Sequence, residues 1–139
     1  MIHLEAIIYS RVSSLGQDNT RQIINLKRVA EEKEWNLKRT FQEKISGTTK
    51  ARDRNEFKTM LEYIDKSKVD VVMVSEVSRM GRKVLDVLNA VETLHEKGVG
   101  VYIQQFNMLT FQNGKENPTT KMLLQMLAIG SEMENNLRK

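Results

Sequence analysis

The chain has 139 residues, the length of a single domain, and at that size it buries enough surface to hold a core without cross-links. It has no cysteine, which excludes disulfide frameworks, thiol nucleophiles, zinc ribbons and iron–sulfur clusters together. Lys and Arg number 22 against 18 Asp and Glu, and this net charge of +4 suits a polyanionic partner. No apolar run exceeds four residues (Ala6 to Tyr9, Val71 to Val74), so neither a membrane span nor a signal-peptide core is expected, and the expected location is cytoplasmic.

Strand and helix patterns alternate along the chain. Leu4 to Tyr9 is a short apolar run of the kind a buried strand carries. Asn19 or Thr20 can cap a helix reaching about Trp35, with Ile23, Leu26 and Ala30 at helical spacing. Leu37 to Gln42 is a weaker strand pattern. Phe57, Met60, Leu61 and Ile64 then follow the i, i+3, i+4, i+7 rule of an amphipathic helix. Val69 to Val74, rich in β-branched residues, is the strongest strand signal. Lys83 to Lys97 reads as a helix with Val84, Leu88, Val91 and Leu94 as its stripe and Gly98 as its stop. Val99 to Gln105 is a further strand. After Pro118 a last helix begins near Thr119, with Met122, Met126, Ile129 and Met133 on one side. Trp35 is expected at a helix end, in the core or on its rim.

This alternation predicts a three-layer α/β/α domain with a mostly parallel central sheet of four to five strands and a long C-terminal helix. In such folds the reactive residues sit in loops at the carboxyl ends of the strands. Two loops qualify: Ser10 to Asp18, and Ser75 to Arg82. In the first, Arg11 and Ser13 are two residues apart, so on extended backbone they leave the same side. A hydroxyl beside a guanidinium suits a phosphate target, because the planar fork matches two phosphate oxygens. A lone serine at that place would be an ordinary turn former. In the second loop Arg79 and Arg82 fall three apart at the start of a helix, where cations oppose the helix dipole unless an anion is bound. A solvated arginine pair is the plainer reading of those two residues alone. Between the loops, residues 44–54 carry Lys44, Lys50, Arg52 and Arg54 against Asp53, either a basic linker or an arm that closes over a DNA backbone.

Tyr9-Ser10-Arg11-Val12-Ser13 resembles the Y-x-R-V-S signature that opens the catalytic domain of serine recombinases, the resolvase/invertase family. Gln22 falls nine residues after Ser13, where that family carries a functional Gln. Ser46-Gly47 with Arg54-Asn55-Glu56-Phe57 is similar to the family's S-G … R-x-x-[LF] segment, and Ser78-Arg79-Met80-Gly81-Arg82 to its [DS]-R-[LF]-[GS]-R motif. The resemblance runs from about Ile7 to Glu134, in order and at compatible spacing. It implies that Ser13 attacks a DNA phosphodiester to leave a 5′-phosphoserine and a 3′-hydroxyl, followed by strand exchange and religation. Arg11, Arg79 and Arg82 would surround the phosphate, joined by Arg54, with Arg52 as the alternative to Arg54. Gln22 would hold the phosphate or the arginines by hydrogen bonds.

Ser78 stands where some members carry Asp and is assigned an auxiliary hydrogen-bonding role, and Tyr9 is taken as auxiliary too. Lys50, Arg52 and Arg138 are the expected contacts to the DNA backbone. Asn135 stands where many members carry Arg. The resemblance also implies double-stranded DNA as partner, a homodimer through the last helix, a tetramer during exchange, and a bacterial or mobile-element origin. No metal, cofactor or small-molecule substrate is expected. His3 and His95 lie outside both loops, and the sequence identifies no base for Ser13.

A metal-dependent nuclease would need clustered carboxylates at the strand ends, and the second loop carries a single acidic residue, Glu76. A dinucleotide site would need a glycine-rich first turn, and only Gly16 is there. The competing reading is a non-catalytic DNA-associated assembly or regulatory domain on the same fold; the Ser13, Arg11, Arg79, Arg82 set argues against it. The pattern Asn136 to Lys139 is still helical, so residues 1–139 are expected to be a catalytic domain cut within its dimerisation helix, without its DNA-binding region.

Overall fold

The structure, a computed structural model, describes residues 3–12, 17–44, 55–76, 84–112, 114–118, 122 and 125–126. Strand β1 (Glu5–Val12) is followed by α1 (Gln17–Glu32), β2 (Asn36–Lys44), α2 (Asn55–Lys66), β3 (Val71–Val74), α3 (Val84–Glu96) and β4 (Gly100–Ile103). A 3₁₀ turn (Gln104–Phe106) then leads to the short strands β5 (Met108–Leu109), β6 (Phe111–Gln112) and β7 (Lys115–Glu116). The five-stranded sheet has the order β2-β1-β3-β4-β5, parallel throughout except for β5, while β6 and β7 form a separate antiparallel hairpin. The expected α/β domain with a mostly parallel sheet is therefore what the chain adopts.

Each face of the sheet carries its own core. Ala6, Ile8, Val71, Met73 and Tyr102 pack with Leu26 and Ala30 of α1 on one side. Ile7, Tyr9, Val72, Val74, Val101 and Ile103 pack with Met60 and Ile64 of α2 and Val87, Val91 and Leu94 of α3 on the other. The alternation of inward residues along β1, β3 and β4 makes these three layers, since neighbouring strand residues point to opposite faces. β3 and β4 are buried along their whole length, as strands covered on both faces must be. Trp35 is half-buried against the α1-side core, edge-on to Tyr102 at 5.5 Å.

Helix α1 ends earlier than its periodicity suggests, because Glu34 adopts a left-handed φ of 59° and the chain closes a Schellman turn. There Trp35 N–H donates to Ala30 O at 2.9 Å and Glu34 N–H to Glu31 O at 3.1 Å. Helix α3 ends in the same motif with Gly98 at φ 77°, the stop expected from sequence. The β1–β2 register shifts between Ala6 and Ile7, whose partners are Leu37 and Arg39. One extra residue in β2 exchanges its faces. Leu37 accordingly packs on the α1 side, whereas Phe41 turns to the α2 side.

Pro118, Met122, Gln125 and Met126 are helical, at the start of the expected last helix; the rest of that helix lies outside the described residues. Met122 and Met126 are exposed. Among the described residues, no helix is long and apolar enough to cross a membrane.

Candidate functional site

After β1 the chain covers one face through α1 and places β2 on one side; after β3 it covers the opposite face through α3 and places β4 on the other. The connections leave β1 and β3 for opposite faces, and in open α/β sheets ligands bind at the carboxyl ends of strands so related. Ser10, Arg11 and Val12 of β1 and Ser75 and Glu76 after β3 form these ends. These are the two loops in which the sequence concentrates hydroxyl and guanidinium groups.

Gln22 reaches this edge from the second turn of α1: Ser75 Oγ donates to its Oε1 at 3.3 Å, a bridge from α1 to the end of β3. The same Ser75 accepts Gln105 N–H through its carbonyl at 2.9 Å, which ties the end of β3 to the turn after β4. Tyr9 is fully buried. Its ring stacks edge-on to Phe57 of α2 at 5.5 Å, and its hydroxyl donates to Glu43 Oε1 at 3.5 Å. Ser10 is buried as well. The backbone of Arg11 lies in β1 and pairs with Glu43 of β2.

The Arg11 side chain lies outside the described residues, as do Ser13, Ser78, Arg79, Arg82, Lys50, Arg52, Arg54 and Arg138. Among the described residues no His, Asp or Glu cluster of three or more is gathered as a metal site requires.

Glu43 is a residue of this edge that sequence reasoning passed over. It is only 5% exposed, and its carboxylate caps α2 from a different element. Oε2 accepts Glu56 N–H at 3.2 Å and Oε1 accepts Phe57 N–H at 3.1 Å. Those are two of the orphan donors of the first helical turn, and the positive end of the helix dipole faces the carboxylate. The signal was present in the alternation of β2: Phe41 and Glu43 share one face, so an acid that continues a buried apolar pattern had to find donors inside.

The model of the Resolvase, N terminal domain, matches residues 6–139. The chain belongs to the resolvase family. Relatives of this resolvase domain include a "Resolvase" of Clostridium perfringens (strain 13 / Type A), 31% identical over 129 residues. A "DNA-invertase" of Salmonella abortus-equi is 29% identical over 134 residues. These alignments cover 93% and 96% of the chain and 63% of each relative, so the chain spans somewhat less than two thirds of their length. The N-terminal catalytic domain of TP901-1 integrase has the same fold, with a TM-score of 0.73 at 23% identity, covering 97% of this chain and 99% of that one. A resolvase family site-specific recombinase from Streptococcus pneumoniae superposes with a TM-score of 0.71 at 20% identity, over 97% and 92% of the two chains.

Proposed function

We propose that this resolvase domain is the catalytic part of a cytoplasmic, cofactor-free, site-specific DNA recombinase with Ser13 as its nucleophile. The observation that carries the reading is the position of Tyr9 to Val12, the described part of the Tyr9-Ser10-Arg11-Val12-Ser13 signature, which runs along β1 to its carboxyl end beside β3. Ser13 Oγ gives up its proton and attacks a phosphodiester phosphorus. The 3′ oxygen leaves with a proton, so a 5′-phosphoserine and a 3′-hydroxyl result. Attack of a 3′-hydroxyl from the exchanged strand reverses the step and frees the serine. The covalent link conserves the energy of the phosphodiester, so religation needs no external supply.

The pentacoordinate transition state carries more negative charge than the substrate, and preorganised cations are the strongest means of stabilising it. Arg11, Arg79, Arg82 and Arg54 fill that role in this reading. Gln22, already bonded to Ser75 at the edge, orients phosphate or guanidinium, while Ser78 is auxiliary. Tyr9 supports the site from within the core. Lys50, Arg52 and Arg138 meet the double-stranded DNA backbone, where each neutralised phosphate releases a counterion. The working assembly is a homodimer that pairs into a tetramer for exchange, and the exposed Met122 and Met126 suit the dimer surface.

The test is to incubate the full-length recombinase that carries this domain with DNA bearing its crossover site and to look for a denaturation-resistant protein–DNA band. The wild type is expected to form it and Ser13→Ala to lose it. A band that persists in folded Ser13→Ala refutes the nucleophile, and no band from the wild type refutes the reading.

A further inference from the structure

We propose that the outer face of α1 is a self-association surface, on which two copies of this chain pair antiparallel with Arg21 of each against the partner's Glu31. The contact is separate from the dimer surface assigned to the last helix, and it holds whether or not Ser13 is a nucleophile.

Helix α1 buries Ile23, Leu26 and Ala30 toward the sheet. On the opposite side Arg21, Ile24, Arg28 and Glu31 are exposed, Ile24 by 51%. Among the described residues none of the three charged groups forms an ion pair, although Glu31 lies three residues from Arg28, within helical reach. Glu31 also lies in the last turn of α1, which holds no basic residue. An acid there opposes the helix dipole unless a cation answers it from outside the helix. A single exposed isoleucine is ordinary on a protein surface; its spacing from the charges is what sets this one apart.

The four residues follow one another at intervals of three, four and three, the a/d seam of a heptad pattern along which two helices pack. A two-fold axis at the level of Leu26 lies five residues from both Arg21 and Glu31, and two residues from both Ile24 and Arg28. Antiparallel pairing about that axis sets Arg21 against the partner's Glu31, and Ile24 against the aliphatic stem of the partner's Arg28. Each Glu31 then receives, at a helix carboxyl end, the cation it lacks in its own chain. Parallel pairing would set Arg on Arg and Glu on Glu, which repels. A DNA backbone would accept the two arginines but repel Glu31 in the same stripe. The seam spans about 15 Å, at about 1.5 Å per residue, so it buries far less than the ~800 Å² per partner of a stable interface. It is therefore a weak contact, made when another interaction already holds the copies close.

The experiment uses the full-length protein that carries this domain, concentrated and without DNA. Any cysteine beyond residues 1–139 is replaced by serine; the domain itself has none. Ile24→Cys and Arg28→Cys versions are oxidised mildly, separately and as a mixture. The mixture is expected to form the intermolecular disulfide at least about five-fold faster than either alone, because these two positions face each other across the axis. Adding Arg21→Glu to both should slow it at least about ten-fold, since two attractive pairs become repulsive. Adding Glu31→Arg as well should restore the rate to within about two-fold, with circular dichroism to show that each version is folded. Arg21→Gln, with a loss of about three-fold, serves if the charge reversal unfolds α1.

Equal rates for the mixture and the single versions, or a double reversal that fails to restore the rate, overturn the proposal. Absence of any cross-link does the same. So does cross-linking that appears only with DNA and falls with each arginine removed, which would make the stripe a nucleic-acid contact. The reaction needs neither DNA nor cleavage, so its failure leaves the recombinase reading intact, and loss of the Ser13 adduct leaves the self-association surface intact.

Discussion

Gly100→Ala should be among the most damaging single-methyl additions in the described part of the chain. Gly100 opens β4 and is buried, and a Cβ built there lies 2.3 Å from the Phe111 carbonyl oxygen, 3.2 Å from its carbon and 3.3 Å from Leu109 Cδ1. The nearest of these is backbone, so no rotamer change relieves it. Tolerable contact needs Phe111 to retreat by about 0.7–1 Å, and interiors resist such shifts. Phe111 follows Thr110, whose N–H donates to Val101 O at 2.9 Å and whose Oγ1 accepts Val101 N–H at 2.9 Å. The same hydroxyl lies 2.8 Å from His95 Nε2, while His95 Nδ1 lies 3.0 Å from Glu116. The retreat therefore stretches the bonds that hold the β6–β7 hairpin to β4 and α3. Overpacking of about 1–3 kcal/mol plus one or two weakened bonds of about 1 kcal/mol each gives a loss of about 2–5 kcal/mol. Urea denaturation of wild type and variant measures it, with the midpoint falling and the slope unchanged. A loss below about 0.5 kcal/mol, the range of an ordinary surface change, would refute the close-approach argument.

Glu34→Gly should stabilise the protein by about 0.5 kcal/mol, because glycine removes the left-handed strain of the α1 Schellman turn but gives back part of the gain as unfolded-state entropy. A urea midpoint lower than that of the wild type would contradict it. Tyr102 has its pKa raised by burial and, secondarily, by the charge of Glu32. The unfolded chain then releases this proton first, so its contribution is intact below about pH 10 and declines as pH rises through and beyond that value. Tyr102→Phe should therefore lose less stability than the wild type between about pH 8 and about pH 10.5, and equal losses would exclude Tyr102 as a source of alkaline sensitivity.

The strands β1 and β3 and the helices α2 and α3 were legible within two or three residues because their signals are local: apolar runs, 3.6-residue spacing and a terminal glycine. The β6–β7 hairpin was not read at all. Its two-residue strands are too short to show a period, and its one local signal was Asn113-Gly114, a dipeptide favoured in tight hairpins. What holds it is tertiary, namely the Thr110 bonds to Val101 and the His95 contacts, and from sequence His95 is read only as lying outside the two strand-end loops. Gln22 was found through the resemblance, and the fold gives it a partner, Ser75, 53 residues away.

By itself the sequence determined the order of elements, the family, and which two loops end the strands where chemistry belongs. Each of these is written in neighbouring residues or in motifs a few residues long. The tertiary structure alone decided that β1 lies between β2 and β3, so that the carboxyl ends of β1 and β3, from which those loops depart, are neighbours at one edge. It also decided that a single bulge turns Phe41 toward α2, and that the carboxylate of Glu43 closes on the amides of a helix beginning twelve residues later. Strand partners, register and a buried acid's choice of donors depend on contacts between distant segments, and those exist only once the sheet has formed.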